Sequence, residues 1–297
     1  MNSLINDLKS TFFHLRFSVS FAFLPIFLWA YALSEADITK NFWYGILILH
    51  LLVYPASNGI YAYFDKRKGI ISGIRGIKPA SIFTLVVSLI FLVVGIYLSF
   101  KVNTSYFYAV LIFVLLSFLF SFPSTGIKIR PLYGILIVSI SYGVVGFIAG
   151  WVCGSDLGKL KDWFYIAGVL ASAGFVAGFY TLSLVYRVSE DSEKMGDLFV
   201  EKLGSAAVFR FAEIMLPISG LLATIVVAGK FTLYELIGVI LYFLIWFLVI
   251  DRFRVNFYLQ KEWQNYKTIM NFNLTNSVIL SIYLFLRILA FHYLLID

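Results

Sequence analysis

Between Tyr180 and Gly204 an apolar run ends in a burst of charge, Y-T-L-S-L-V-Y-R-V-S-E-D-S-E-K-M-G-D-L-F-V-E-K-L-G. Five of the chain's sixteen acidic residues fall here within twelve positions: Glu190, Asp191, Glu193, Asp197 and Glu201. On a helix turning about 100° per residue, Glu190, Glu193, Asp197 and Glu201 share one face. Carboxylates crowded in this way repel one another unless cations lie between them. Taken alone, such a run is most simply a solvated helix at a membrane surface. A second acidic helix end, at Asp65, points to chemistry instead.

The elements that must carry these acids are membrane helices. The chain of 297 residues is 61% hydrophobic and 13% charged, with a mean hydropathy of +0.91. That is far outside the soluble range. The apolar runs reach roughly 18 to 25 residues, enough to cross the hydrocarbon as helix, and none alternates like a barrel strand. The fold class is therefore all-α and polytopic, with nine spans expected at 14–33, 42–64, 79–99, 105–122, 132–152, 163–186, 205–229, 231–250 and 272–295. A cytoplasmic N-terminus puts seventeen of the twenty-three Lys and Arg residues on the inner side, which sets the expected topology. The net charge of +7 then belongs mainly to cytoplasmic loops, where it favours anionic lipid headgroups and phosphate-bearing substrates over nucleic acid. The single cysteine, Cys153, rules out an internal disulfide, and His14, His50 and His292 are too far apart for a metal motif.

In the second span His50, Tyr54, Asn58, Tyr61 and Asp65 recur at four, four, three and four residues, a polar stripe down an oily helix. Polar groups at membrane depth are costly, so the stripe is expected to face the bundle interior or a wet cavity. Helix-to-helix hydrogen bonds by His50 and Asn58 would account for it equally well. By the expected topology, Asp65 and the Glu190–Asp197 run both end their helices at the cytoplasmic face. Two acidic helix ends flanked by Lys and Arg suit divalent cations that hold a polyphosphate. Mg²⁺ takes a few carboxylates together with phosphate oxygens, and nearby cations neutralise the remaining charge. Held in that way, a diphosphate becomes a good leaving group.

At this point the chain resembles the UbiA superfamily of intramembrane prenyltransferases over essentially its whole length. The likeness rests on His14-Leu-Arg-Phe-Ser18 with Pro25, on Pro55-Ala-Ser-Asn-Gly59 with Asp65, on Lys128 to Pro131, and on Tyr180 to Gly204. The ending Gly196 to Gly204 looks like the family's G-x-x-T-x-x-x-x-L-G, with Phe199 near the place of its Thr. In tone the motifs look most like members from Bacteroidetes-type bacteria. The family's first motif, N-x-x-x-D-x-x-x-D, laid on Asp65 falls on Tyr61, Asp65 and Gly69, and Asn58 stands one turn earlier as a substitute for the Asn. The second motif keeps Glu190, Asp191 and Asp197 at a different spacing.

The resemblance implies a nine-helix bundle forming a single transmembrane domain over 1–297 in a bacterial inner membrane. It implies Mg²⁺ bound by Asp65, Glu190, Asp191 and Asp197, with Asp65, Asp191 and Asp197 in the catalytic role. Arg16 and Lys128 match basic positions of the family and are the expected diphosphate contacts, with Asn58 beside them. Tyr180 and Tyr186 are placed to face an allylic cation through their ring electrons. The partners implied are an isoprenyl diphosphate, a lipophilic acceptor that is aromatic in the leading reading, and the membrane lipids. Departures in the first motif leave open a membrane terpene cyclase or a non-catalytic binder of lipid diphosphates.

Overall fold

The computed structural model describes residues 2–65, 71, 74, 76–187 and 202–294. Among them are nine helices long and apolar enough to span a membrane: α1 Asn6–Leu33, α2 Lys40–Asp65, α3 Ile82–Val102, α4 Thr104–Ser121, α5 Pro131–Val152, α6 Trp163–Ser183, α7 Ser205–Lys230, α8 Leu233–Phe257 and α9 Gln264–His292. The described residues contain no strand, only an isolated bridge between Ile71 and Ile74. In lipid only helices and closed barrels satisfy their own backbone. The chain is an all-α, multi-pass membrane protein.

Three helix ends differ from expectation by seven residues or more, each where polar sequence continues the helix. The first helix begins at Asn2 rather than 14, and α8 runs to Phe257 rather than 250. Asp251 and Arg254 lie three residues apart in that extra turn and form an ion pair. The last helix starts at Glu262 instead of 272, and the Gln264 side chain accepts from the Lys261 N–H at 2.9 Å. Hydropathy detects the oily part of a helix, whereas backbone bonding continues into the headgroup layer.

The chain divides into two compact units. The first comprises Met1–Gly126, Ile148–Ser155 and Asn276–Asp297, and the second Ile127–Phe147 and Asp156–Thr275.

Within the first unit α1 is broken. Helix Asn2–Leu15 stops at Arg16, whose backbone is left-handed (φ 49°, ψ 54°), and resumes as Phe17–Ala22 and then Leu24–Leu33 with Pro25 in its first turn. In α2 the six residues Ile48–Val53 form a π-helical turn ahead of Tyr54–Asp65. There Ser20 Oγ donates to the His50 carbonyl at 2.7 Å, and His50 Nδ1 donates to the Ser20 carbonyl at 2.9 Å. This reciprocal pair clamps the middle segment of α1 to α2. The upper stripe is thus a packing device, with His50 and Tyr54 buried, while Asn58, Tyr61 and Asp65 are partly exposed. Cys153 is buried against Gly45, and burial pushes its thiol up. Thiolate is the reactive form, so a maleimide should leave the folded protein unmodified and label it fully after denaturation, as intact mass would show.

Within the second unit α6 and α7 pack closely. Ser219 Oγ donates to the Ala171 carbonyl at 2.6 Å, and Gly178 seats Leu216. The chain enters α8 through a capping box in which Thr232 and Glu235 satisfy each other's backbone N–H. Phe179, Trp246 and Phe272 form an aromatic cluster, with 4.2 Å between the Trp246 and Phe272 ring centroids.

Candidate active site

The break at Arg16 organises what the first unit brings together. Because the helix stops at Leu15, the carbonyl of Leu15 has lost its helical donor, and Asn58 Nδ2 points at it from α2 at 3.4 Å. Asn58 and Arg16, both expected at the substrate, therefore meet at one place. Asn58 Oδ1 stays over as a second acceptor. Arg16 Nε is buried and has no hydrogen-bond partner. A buried guanidinium nitrogen without a partner is costly, and an anion with several acceptor oxygens would satisfy it.

Asp65 closes α2 seven residues beyond Asn58, on the same helix face and about 10 Å further along the axis. Tyr61, at the position where the resembled motif has Asn, stacks on Phe120 with centroids 5.7 Å apart. Its ring is part of the packing, so Asn58 is the amide nearest to Asp65 on this face. Gly59 lies directly on Ser88 and Leu15, where a Cβ would have no room. This close approach holds α2 against the end of the broken helix.

Sequence reasoning missed how the chain returns after α2. The carbonyl of Lys78 accepts from Ser10 Oγ at 3.0 Å and from His14 Nε2 at 2.9 Å, which pins residues 76–80 to the start of α1. The side chain of Lys78 is not part of this contact. Its main chain makes the contact instead, and no pattern of side chains announces a backbone partner.

In the second unit the α-helical part of α6 ends at Ser183 and a 3-10 turn, Val185–Arg187, follows. Tyr186 is buried there, its ring edge-on to Tyr266 at 4.9 Å. Tyr266 lies on the polar first turns of the last helix, which the expected start at 272 left out. Tyr180 lies in the last turn of α6 and is partly exposed. Lys128 is placed by its backbone alone, in the 3-10 turn Ile127–Ile129 before Pro131 opens α5. Glu190, Asp191 and Asp197, with Glu193 and Glu201, lie outside the described residues. Among the described residues no three His, Cys, Asp or Glu side chains gather as a metal centre.

The described residues supply part of a site for a metal-bound diphosphate. Mg²⁺ asks for hard oxygen ligands and shares them with phosphate. Asp65 and Asn58 Oδ1 are of that kind, and the unpartnered Arg16 Nε supplies the complementary cation.

No family model and no curated protein matches the chain. Solved structures do. A UbiA homolog from Archaeoglobus fulgidus bound to GPP and Mg²⁺ superposes with a TM-score of 0.72 at 16% identity, covering 95% of this chain and 99% of that one. The chain has the UbiA fold. The same homolog bound to DMAPP and Mg²⁺ gives 0.71 at 16% identity over the same shares of both chains. The apo UbiA homolog from Aeropyrum pernix K1 gives 0.65 at 16% identity, over 91% of this chain and 99% of that one. At such identities a UbiA fold is common ground and the chemistry has to be argued from side chains.

Proposed function

We propose that this chain is a member of the UbiA superfamily and transfers an isoprenyl group from an isoprenyl diphosphate to a lipophilic, aromatic acceptor inside a bacterial inner membrane. The observation that carries the proposal is the near-complete match to UbiA homologs solved with DMAPP or GPP and Mg²⁺. Arg16 supports it from within this chain, since its buried Nε–H has no partner and belongs to a cationic group that can donate to a diphosphate oxygen.

In this reading Arg16 and Lys128 hold the diphosphate, and Asn58 keeps the Arg16 turn in place through Leu15. Asp65, Glu190, Asp191 and Asp197 hold Mg²⁺. Bound there, Mg²⁺ neutralises the charge that grows on the departing diphosphate. Tyr180 and Tyr186 present ring electrons to the developing allylic cation. The surrounding apolar helices hold the isoprenoid tail and keep water from quenching that cation. Catalysis is then mostly positioning and charge stabilisation.

The test is diphosphate release by the purified full-length protein in lipid nanodiscs, across isoprenyl diphosphates of increasing length and with aromatic acceptors present or absent. Release that requires both Mg²⁺ and an acceptor is the expected result. Release without any acceptor would convert the reading to cyclisation, and the absence of Mg²⁺-dependent release with every donor would end the enzymatic reading. Asp65→Ala and Asp197→Ala are each expected to abolish the signal.

A further inference from the structure

His14, to which the proposed reaction gives no part, is buried with only one of its two ring nitrogens engaged. It sits in the last turn of the first segment of α1, two residues before the break at Arg16, and is 3% exposed. Its Nε2 lies 2.9 Å from the Lys78 carbonyl, which can only accept, so Nε2 carries the ring hydrogen. Nδ1 is buried and has no partner. A strap to one carbonyl needs a single N–H donor, and a glutamine would supply it. The second ring nitrogen leaves an unmet polar atom inside the fold, a costly arrangement unless something arrives to meet it.

The ring's surroundings define what would complete it. Arg16 Nε is likewise buried and without a partner, and the Arg16 guanidinium lies within electrostatic reach of the imidazole. Among the described residues it is the charged group that acts on the ring, because Lys78 meets the ring with its carbonyl. The polar neighbours on this flank of α1 and α3 are already engaged: Thr11 and Thr84 bond to each other, and Ser10 to the Lys78 carbonyl. Acids stand further off. Asp7 is seven residues before His14 on α1, and Asp65 seven beyond Asn58 on α2, each about 10 Å along its axis. A bare Nδ1 would turn its lone pair on an incoming anion. A protonated Nδ1 could donate to one, yet without the anion it and Arg16 are two cations with nothing between them. An anion that faces both groups removes both objections, provided that the ring takes up a proton as it enters.

We propose that His14 is a further contact of the diphosphate held by Arg16, and that it binds as the imidazolium, taking one proton from solvent onto Nδ1 as the diphosphate enters. Nδ1–H then donates to a phosphate oxygen while Nε2–H stays on the Lys78 carbonyl, so one ring ties the ligand to residues 76–80. The contribution of His14 to affinity is present where imidazole holds its second proton and fades as pH rises and that proton is lost. The inference rests on the reading of Arg16 as a diphosphate contact and on nothing about turnover.

The experiment is ring nitrogen-15 NMR of the full-length protein, labelled at histidine and held in nanodiscs near neutral pH. The ligand is geranyl S-thiolodiphosphate with Mg²⁺, whose carbon–sulfur bond resists cleavage. The three histidines are told apart by their bonding: His14 carries its hydrogen on Nε2, His50 on Nδ1 through Ser20, and His292 lies beside Asp37. At saturation the Nε2–H pattern of His14 is expected to give way to that of an imidazolium, with the His50 signals unchanged. His14→Gln keeps a donor for Lys78. It is expected to bind the analogue about tenfold more weakly than the wild type at about pH 6, with the gap closing toward about pH 9. The analogue's own titration is common to both proteins and cancels in their ratio. Should His14→Gln not fold, the wild-type spectrum decides by itself. Saturation that leaves His14 in its Nε2–H form, or an affinity ratio that does not change with pH, would overturn the inference. Absence of binding at every pH would instead remove the diphosphate site at Arg16, and this inference with it.

Discussion

Replacing Arg16 by glycine is expected to lower kcat/KM for diphosphate release by about two to three orders of magnitude and to leave the protein as stable as before or more so. The loss follows from removing one preorganised donor to the charge that develops on the leaving group. The stability follows from the backbone. Arg16 sits at φ 49°, a conformation that costs a side-chain-bearing residue roughly 1–2 kcal/mol and that glycine adopts freely. Strain retained at a charged residue marks a position that the fold holds for a task. Arg16→Lys keeps the charge, lacks the fork, and should recover only part of the activity. Kinetics in nanodiscs beside thermal unfolding separate the two effects. If Arg16→Gly turned over at the wild-type rate, Arg16 would be a headgroup anchor and nothing more.

Gly143→Val is expected to destabilise the second unit by about 1–3 kcal/mol or more. Gly143 lies in the π-helical stretch Ser139–Val145 of α5, and a Cβ there would stand 2.6 Å from Ala173 Cα and 3.0 Å from the Ser172 carbonyl oxygen of α6. Both neighbours are main chain, so no rotamer change can relieve the clash and two helices would have to part. Gly238→Ala is the matched control. It lies within α8 with nothing inside 4 Å of its would-be Cβ, and alanine there should be neutral or stabilising by up to about 1 kcal/mol. Chemical unfolding in a single detergent compares them. Equal effects of the two substitutions would mean that the α5–α6 contact is not what this glycine is for.

The spans were legible because membrane helices advertise themselves by composition over twenty residues. The expected spans at 105–122 and 132–152 match α4 and α5 to within a residue at each end. What composition could not show is where the backbone departs from regular helix. Nothing in His14-Leu-Arg-Phe-Ser18 is a helix breaker, yet Arg16 turns left-handed, and the bonds that hold the break come from Asn58, Ser20 and His50 elsewhere in the fold. The candidate site was half legible for a related reason. Asn58 and Asp65 fell on one face by simple helical spacing, whereas the contact of Tyr186 with Tyr266 required a helix that begins ten residues before its oily part.

The wide turn at Ile48–Val53 has a consequence for how this membrane rod can change over time. A π turn lodges one residue more than an α turn in nearly the same rise, so everything after it is rotated by about 100° relative to an unbroken α-helix. Losing one of those residues would let the coil straighten with Asn58 and Asp65 still facing Leu15 and Arg16, whereas straightening with all six kept would swing them by that angle around the axis. The facing of Asn58 and Asp65 is thus set by how six residues in the middle of the span are wound, and the His50 pair with Ser20 lies within that winding.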